Sequence, residues 1–185
     1  MNRKPAVFLD RDGVLNRSFA RNGCLVPPAS VSELELLDDV AHACQTLHDA
    51  GFLLVMVTNQ PDVARGTQRR DIVESINATL KQWLPLDDVR VCYHDDSDRC
   101  GCRKPAPGLL IEAAAEWGID LEGSFLVGDR DRDIEAGRRA GCRTFLIHSQ
   151  PGDPVNGTPG RRVRSLAEAA TLILSAPVRR ERTNP

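Results

Sequence analysis

Two short runs limit the possible fold more than any other feature of the chain. Val7-Phe8-Leu9 and Leu53-Leu54-Val55-Met56-Val57 contain no polar residue. A half-exposed strand alternates, whereas an unbroken apolar run bounded by polar segments marks a strand buried on both faces, as in parallel sheets covered by helices. Helical patterns fall around these runs. One spans 38–50 and is closed by Gly51 at C′; the next spans 67–84. Another spans 107–117, with Pro107 in its first turn and Gly118 ending it, and a fourth over 131–140 is stopped by Gly141. Further strands are expected at 89–92, 125–127 and 144–147, and Ser165-Leu166-Ala167-Glu168 has the form of a capping box that opens a last helix to about residue 175. The expected fold is α/β, an open parallel sheet with helices on both faces. The 185 residues suit one domain, taken as 1–176, with 151–160 as a Pro/Gly loop and 177–185 as a frayed tail.

Such sheets bind ligands beyond the carboxyl ends of their strands, and that rule sorts the polar residues. Asp10 and Asp12 follow the first strand, Thr58, Asn59 and Gln60 the second, and Gly128, Asp129 and Asp133 the fourth, while Lys104 lies between the third strand and the next helix. All four groups therefore share one rim. Carboxylates gathered in a crevice are costly unless a cation neutralises them, and Asp10, Asp12 and Asp129 are hard oxygen ligands of the kind Mg²⁺ takes. A carboxylate can attack phosphorus to form an aspartyl-phosphate, and a second one two residues on can protonate the leaving oxygen and then activate water. Thr58 and Lys104 would supply a donor and a positive charge to the transferring group. The alternative, a turn with solvated acids, explains Asp10-Arg11-Asp12-Gly13 alone but not its company.

A second constellation holds Cys92, His94, Cys100 and Cys102 within one loop. Three thiols and one imidazole form a closed tetrahedral set typical of structural Zn²⁺, and such crowding in a chain taken as cytosolic points to metal rather than disulfides. Cys24, Cys44 and Cys142 are scattered and are taken as ordinary thiols, and His42, His48 and His148 as helix-surface or strand-end residues.

Composition excludes other classes. The net charge of -2 and aromatic content of 4% argue against a nucleic-acid partner, and no apolar run approaches the roughly 20 residues that span a bilayer. The first strand begins within a few residues of Met1, which leaves no room for a signal peptide. The expectation is a soluble, cytoplasmic monomer. Only three lysines occur, Lys4, Lys81 and Lys104, which singles out Lys104 in an arginine-rich chain.

Four motifs resemble those of haloacid dehalogenase-type phosphatases: Asp10-Arg11-Asp12-Gly13-Val14, Val57-Thr58-Asn59, Arg103-Lys104-Pro105, and Val127-Gly128-Asp129 with Asp133. The likeness is to the branch that holds heptose bisphosphate phosphatases and histidinol-phosphate phosphatases, and it runs from about Val7 to Ile173. It implies a Rossmann-like core of strand order 5-4-1-2-3 without a large cap. It further implies Asp10 as nucleophile and Asp12 as general acid/base, with Mg²⁺ held by Asp10, the Asp12 backbone carbonyl and Asp129. Thr58 and Lys104 would stabilise the phosphoryl group, and Arg103 would contact substrate along with Asn59, Gln60 and Arg130. The same branch carries a C-x-H…C-x-C zinc loop before its R-K-P motif, as here.

Two departures bear on the substrate. Where the branch commonly has Ser-Gly after Thr-Asn-Gln, this chain has Pro61-Asp62, and the stretch 16–36 is several residues longer. The expected substrate is a small phosphorylated metabolite, a heptose 1,7-bisphosphate ahead of histidinol phosphate, with Arg17, Arg21, Arg65, Arg103 and Arg130 as candidates for the second phosphate. A phospho-accepting receiver module would leave the zinc loop unexplained, and a zinc-dependent nucleic-acid binder would leave the acids unexplained.

Overall fold

The computed structural model describes residues 3–21, 23–147 and 160–175. Strands β1 (Ala6–Leu9), β4 (Leu53–Asn59), β5 (Asp88–Cys92), β6 (Phe125–Gly128), β7 (Arg143–Ile147) and β8 (Arg161–Val163) form one sheet, and β2 (Phe19–Arg21) pairs antiparallel with β3 (Cys24–Val26) outside it. The order is β5-β4-β1-β6-β7-β8 with every neighbouring pair parallel, so the five strands expected from sequence follow the order that the resemblance implied. Helices α1 (Val40–Asp49), α2 (Arg70–Trp83), α3 (Gly108–Trp117), α4 (Asp131–Ala140) and α5 (Leu166–Ser175) cover the two faces. No helix among the described residues is long and apolar enough to cross a membrane.

β1 shows why the apolar runs were decisive. Val7 and Leu9 pack with residues of α1, α2 and α5, while Ala6 and Phe8 pack with Leu109, Leu110 and Ala113 of α3 on the other face. All four are fully buried, and truncating a large side chain at such a site costs about 3–5 kcal/mol. The strand is therefore fixed in register and depth, and so is the aspartate at its end.

Three differences from the sequence expectation have local causes. α2 begins at Arg70 rather than 67 because the Asp62 carbonyl accepts from the Thr67 and Gln68 amides at 2.9 and 3.0 Å, closing a separate turn. β2 and β3 lie in the stretch expected as loop; strands of three residues show too little alternation to be legible. β8 adds to the edge of β7 from the end of the expected Pro/Gly loop. The remainder of that loop, the tail from Pro177 and His148 lie outside the described residues. Ser165 caps α5 as expected, accepting from the Glu168 amide at 3.2 Å, while the Glu168 carboxylate reaches the Arg164 amide rather than that of Ser165.

β1 sits between β4 and β6, and the chain departs from it toward opposite sides of the sheet, so the crevice opens at its carboxyl end. Gly128 ends β6 there. A Cβ at this position would lie 2.2 Å from Asp133 Cβ and 2.7 Å from its Cγ. Gly128→Ala is expected to destabilise the protein by roughly 1–3 kcal/mol through overpacking, measured as a lowered midpoint of urea unfolding.

Candidate active site

At the carboxyl ends of β1 and β4 the strands deliver Asp10 and Thr58 to one cleft of about 370 Å³, and β6 ends just before Asp129, whose carboxylate lies beside those of Asp10 and Asp133. Lys104 reaches in from the loop after β5. Its ammonium donates to Asp10 Oδ1 at 2.7 Å and to the Val57 carbonyl at 2.8 Å, and it lies 2.7 Å from Asp133 Oδ1. An ammonium has three donors, and all three are used. Asp133 serves twice, since its Oδ2 accepts from the Arg130 amide at 3.1 Å and so ties up the start of α4.

The charge balance of this cluster is uneven. Asp10, Asp129 and Asp133 each offer an oxygen within 4.8 Å of the others, against one lysine. Burial pulls the Lys104 pKa down, yet the Asp10 and Asp133 carboxylates outweigh it and hold the ammonium above its usual range. Burial also pushes Asp10 up to about 6; Lys104 opposes that rise, and Asp133 and Asp12 add to it. Asp129 is raised further, to about 8, by burial and then by Asp10 and Asp133. Asp129 Oδ1 is buried without a hydrogen-bond partner, with Arg130 Nε at 3.8 Å. An orphaned carboxylate oxygen among acids that resist ionising together is the donor set a hard divalent cation satisfies. Gly13 leaves Asp129 its room: at φ +90°, it carries no Cβ, which would fall 2.3 Å from Asp129 Oδ2.

Asp12 lines the same cleft but is held by other groups. Its carboxylate takes bonds from Arg11, from Asn16 Nδ2 at 3.0 Å and from Gln60 Nε2 at 2.8 Å. Gln60 Nε2 also donates to Thr58 Oγ1 at 3.0 Å. Asn59 grips the backbone of Lys104 from both sides, its Oδ1 accepting from the Lys104 amide at 3.1 Å and its Nδ2 donating to the Lys104 carbonyl at 3.0 Å. Arg103 lines the cleft and is nearly buried; Nε donates to Asp96 Oδ1 at 2.6 Å, while Nη1 is buried with no partner.

The four expected zinc ligands converge. Cys102 Sγ lies 3.2 Å from Cys92 Sγ and 3.4 Å from Cys100 Sγ, and Cys92 to Cys100 is 3.7 Å. His94 Nδ1 lies 3.6 Å from Cys92 Sγ and 3.3 Å from Cys102 Sγ. A tetrahedral Zn²⁺ with bonds of about 2.3 Å to sulfur and 2.0–2.1 Å to nitrogen has edges of about 3.8 and 3.6 Å. The cluster fits that ion after a slight expansion.

Known proteins resemble this chain over most of its length. A family model described as HAD-hydrolase-like matches residues 101–169. D-glycero-beta-D-manno-heptose-1,7-bisphosphate 7-phosphatase of Rhodopseudomonas palustris is 34% identical over 163 residues, 82% of this chain and 87% of that protein. The protein of that name from Pasteurella multocida is 34% identical over 185 residues, 92% of this chain and 97% of the relative. The chain belongs to the haloacid dehalogenase-like phosphatases. Among solved structures of these phosphatases, D,D-heptose 1,7-bisphosphate phosphatase from B. bronchiseptica, complexed with magnesium and phosphate, matches with a TM-score of 0.76 at 31% identity, covering 92% of this chain and 98% of that one.

Within the phosphatase cleft the structure gathers Asp10, Asp12, Thr58, Asn59, Gln60, Arg103, Lys104 and Arg130 as lining residues. Arg65 also lines it, but is bound through two nitrogens to Asp95 at 2.5 and 3.0 Å and lies 3.5 Å from Asp62. Arg17 and Arg21 are not among the lining residues; they pair with Glu35 and Asp38, and with Glu33. Sequence reasoning passed over Arg11, Asn16 and Asn77, whose only signal was an arginine wedged between two acids.

The charge imbalance has a consequence with a definite sign. Asp129 binds its proton more tightly folded, at about 8, than at its ordinary 3.8. In the cation-free protein that contribution to stability is full below about pH 4 and is lost as pH rises toward 8. Asp129→Asn in EDTA is therefore expected to exceed the parent in stability at pH 8 by at least about 1 kcal/mol. The two should converge near pH 4, and Mg²⁺ should stabilise the parent more than the variant. Urea unfolding at both pH values, with and without Mg²⁺, measures this.

Proposed function

We propose that this phosphatase hydrolyses a phosphomonoester through an aspartyl-phosphate on Asp10, with a sugar bisphosphate as substrate. The observation that carries the reading is the buried Lys104 shared between Asp10 and Asp133, beside an Asp129 oxygen without a partner. Asp10 is the nucleophile. Its oxygen attacks phosphorus, and the Lys104 ammonium and Thr58 hydroxyl face the charge that gathers on the phosphoryl oxygens. Asp12 gives a proton to the leaving oxygen and then takes one from the attacking water. Mg²⁺ held by Asp10, Asp129 and the Asp12 backbone carbonyl would neutralise the acids and polarise the phosphoryl oxygens.

The substrate reading rests on the relatives and on the rim. The curated relatives are named for heptose 1,7-bisphosphate cleaved at the 7-phosphate, and we assign that substrate here. Arg103 Nη1, which has no partner, is the donor we assign to an anionic group, and Arg130 also lines the cleft. Asp62 and Asp96 also line the cleft, and these acids favour the second reading, histidinol phosphate with its cationic amine. Zn²⁺ at Cys92, His94, Cys100 and Cys102 would brace the loop that presents Arg103 and Lys104. The reading takes 1–176 as one phosphatase domain.

Phosphate release measured with Mg²⁺ on the two substrates tests this. Heptose bisphosphate should have the higher kcat/KM, and Arg103→Ala should lower it by roughly 1.5–3 kcal/mol. Asp10→Asn should lose turnover by at least about a thousandfold with the fold intact. Faster turnover of histidinol phosphate, impaired by Asp62→Ala, would replace the substrate; full activity in Asp10→Asn would remove the covalent step. Elemental analysis should find about one zinc per chain, and Cys100→Ser should lose it together with protection of 95–104 from proteolysis. An active protein free of zinc would refute that assignment.

A further inference from the structure

One charged side chain in the first loop has no part in the chemistry above. Arg11 is fully buried, and its guanidinium is divided between two partners. Nε lies 3.2 and 3.1 Å from the two Asp12 oxygens and Nη2 lies 2.9 Å from Oδ2, while Nη1 donates to Asn77 Oδ1 of α2 at 2.9 Å. Asp12 is the one acidic partner of Arg11 among the described residues. The remaining contacts of the Asp12 carboxylate, with Asn16 Nδ2 and Gln60 Nε2, are also N–H donors. The carboxyl group is thus held in a fixed plane by N–H donors that are themselves buried.

A guanidinium removed from water is costly even when paired, so neutralising one partly exposed aspartate is a poor reason to bury it. Its rigid fork offers what a point charge does not, control over the plane of the carboxylate it meets. Asn77 sets the far end of that fork from a packed helix, so the orientation of Asp12 is referred to α2 rather than to its own loop.

We infer that Arg11, anchored by Asn77, is a positioning residue that aims the Asp12 carboxylate at the water of the second half-reaction. This rests on the proposed roles of Asp10 and Asp12. In the first half an Asp10 oxygen bonds to phosphorus, the bond from phosphorus to the leaving oxygen breaks, and that oxygen takes the proton carried by Asp12. In the second half Asp12, now the carboxylate that Arg11 holds, takes a proton from water. The water oxygen bonds to phosphorus, and the bond to Asp10 breaks with its electron pair returning to the Asp10 carboxylate. A leaving group as acidic as p-nitrophenol departs without a proton, so with p-nitrophenyl phosphate only the second half depends on Asp12.

Rapid mixing of the Mg²⁺-loaded full chain with p-nitrophenyl phosphate separates the halves. Arg11→Gln should release a burst of p-nitrophenol larger than the parent's, approaching about one equivalent per chain, followed by a steady rate at least roughly tenfold lower. Acid-quenched variant should carry more protein-bound phosphate than the parent, and Arg11→Lys should fall between them. Asn77→Ala keeps the ion pair and loses its anchor; it should show the same imbalance, smaller, and serves if Arg11→Gln does not fold. Burst and steady phases that slow together, or kinetics equal to the parent's, would overturn the inference and leave Arg11 a structural residue. Failure of the proposed mechanism looks different: the parent itself would form no phosphoprotein.

Discussion

The active site is organised around one ammonium group placed where carboxylates converge. Lys104 is buried against Asp10 and Asp133, and breaking such a pair costs about 3–5 kcal/mol because it strands a charge. Exposed pairs such as Arg21–Glu33 are screened by water and contribute little, so the many ion pairs on this surface are minor beside it. Other features serve its placement. Asn59 holds the Lys104 backbone at both its amide and its carbonyl, the Val57 carbonyl accepts the remaining ammonium hydrogen, and the absent side chain of Gly128 admits Asp133. The cysteine cluster ends two residues before it.

One lysine does not balance three acids. The excess negative charge appears as raised proton affinity at Asp10 and Asp129 and as an oxygen with no partner. Without a cation the site is under electrostatic strain, and the strain points to the kind of ion that relieves it, small, divalent and oxygen-seeking.

Much of this was legible in the sequence because it depends on strand ends. The apolar runs fixed where β1 and β4 stop, and the residues just beyond them had to meet at one rim. The cysteine–histidine cluster was legible because two tight pairs lie in one short segment. What remained hidden depends on side-chain direction. Asn59 and Gln60 were read as substrate contacts, yet in the fold their amide groups are engaged with Lys104, Asp12 and Thr58. Nothing in an Asp-Arg-Asp string says that the arginine turns inward to an asparagine 66 residues away. Likewise Arg17 and Arg21 carry the right charge, but their loop directs them to Glu35, Asp38 and Glu33. The β2–β3 hairpin was missed because its strands are too short for a period to emerge.

That hairpin separates two tasks within one chain. Cys24, Leu25 and Val26 line the cleft, yet among the described residues β2 and β3 pair only with each other and share no hydrogen-bonded edge with the six-stranded sheet. Leu25 is well exposed, so exchanging it removes little from the core. Mutational drift can therefore reshape what the cleft touches while the sheet, the lysine and the acids stay as they are. A chain built on this plan can change what its cleft touches at little risk to folding.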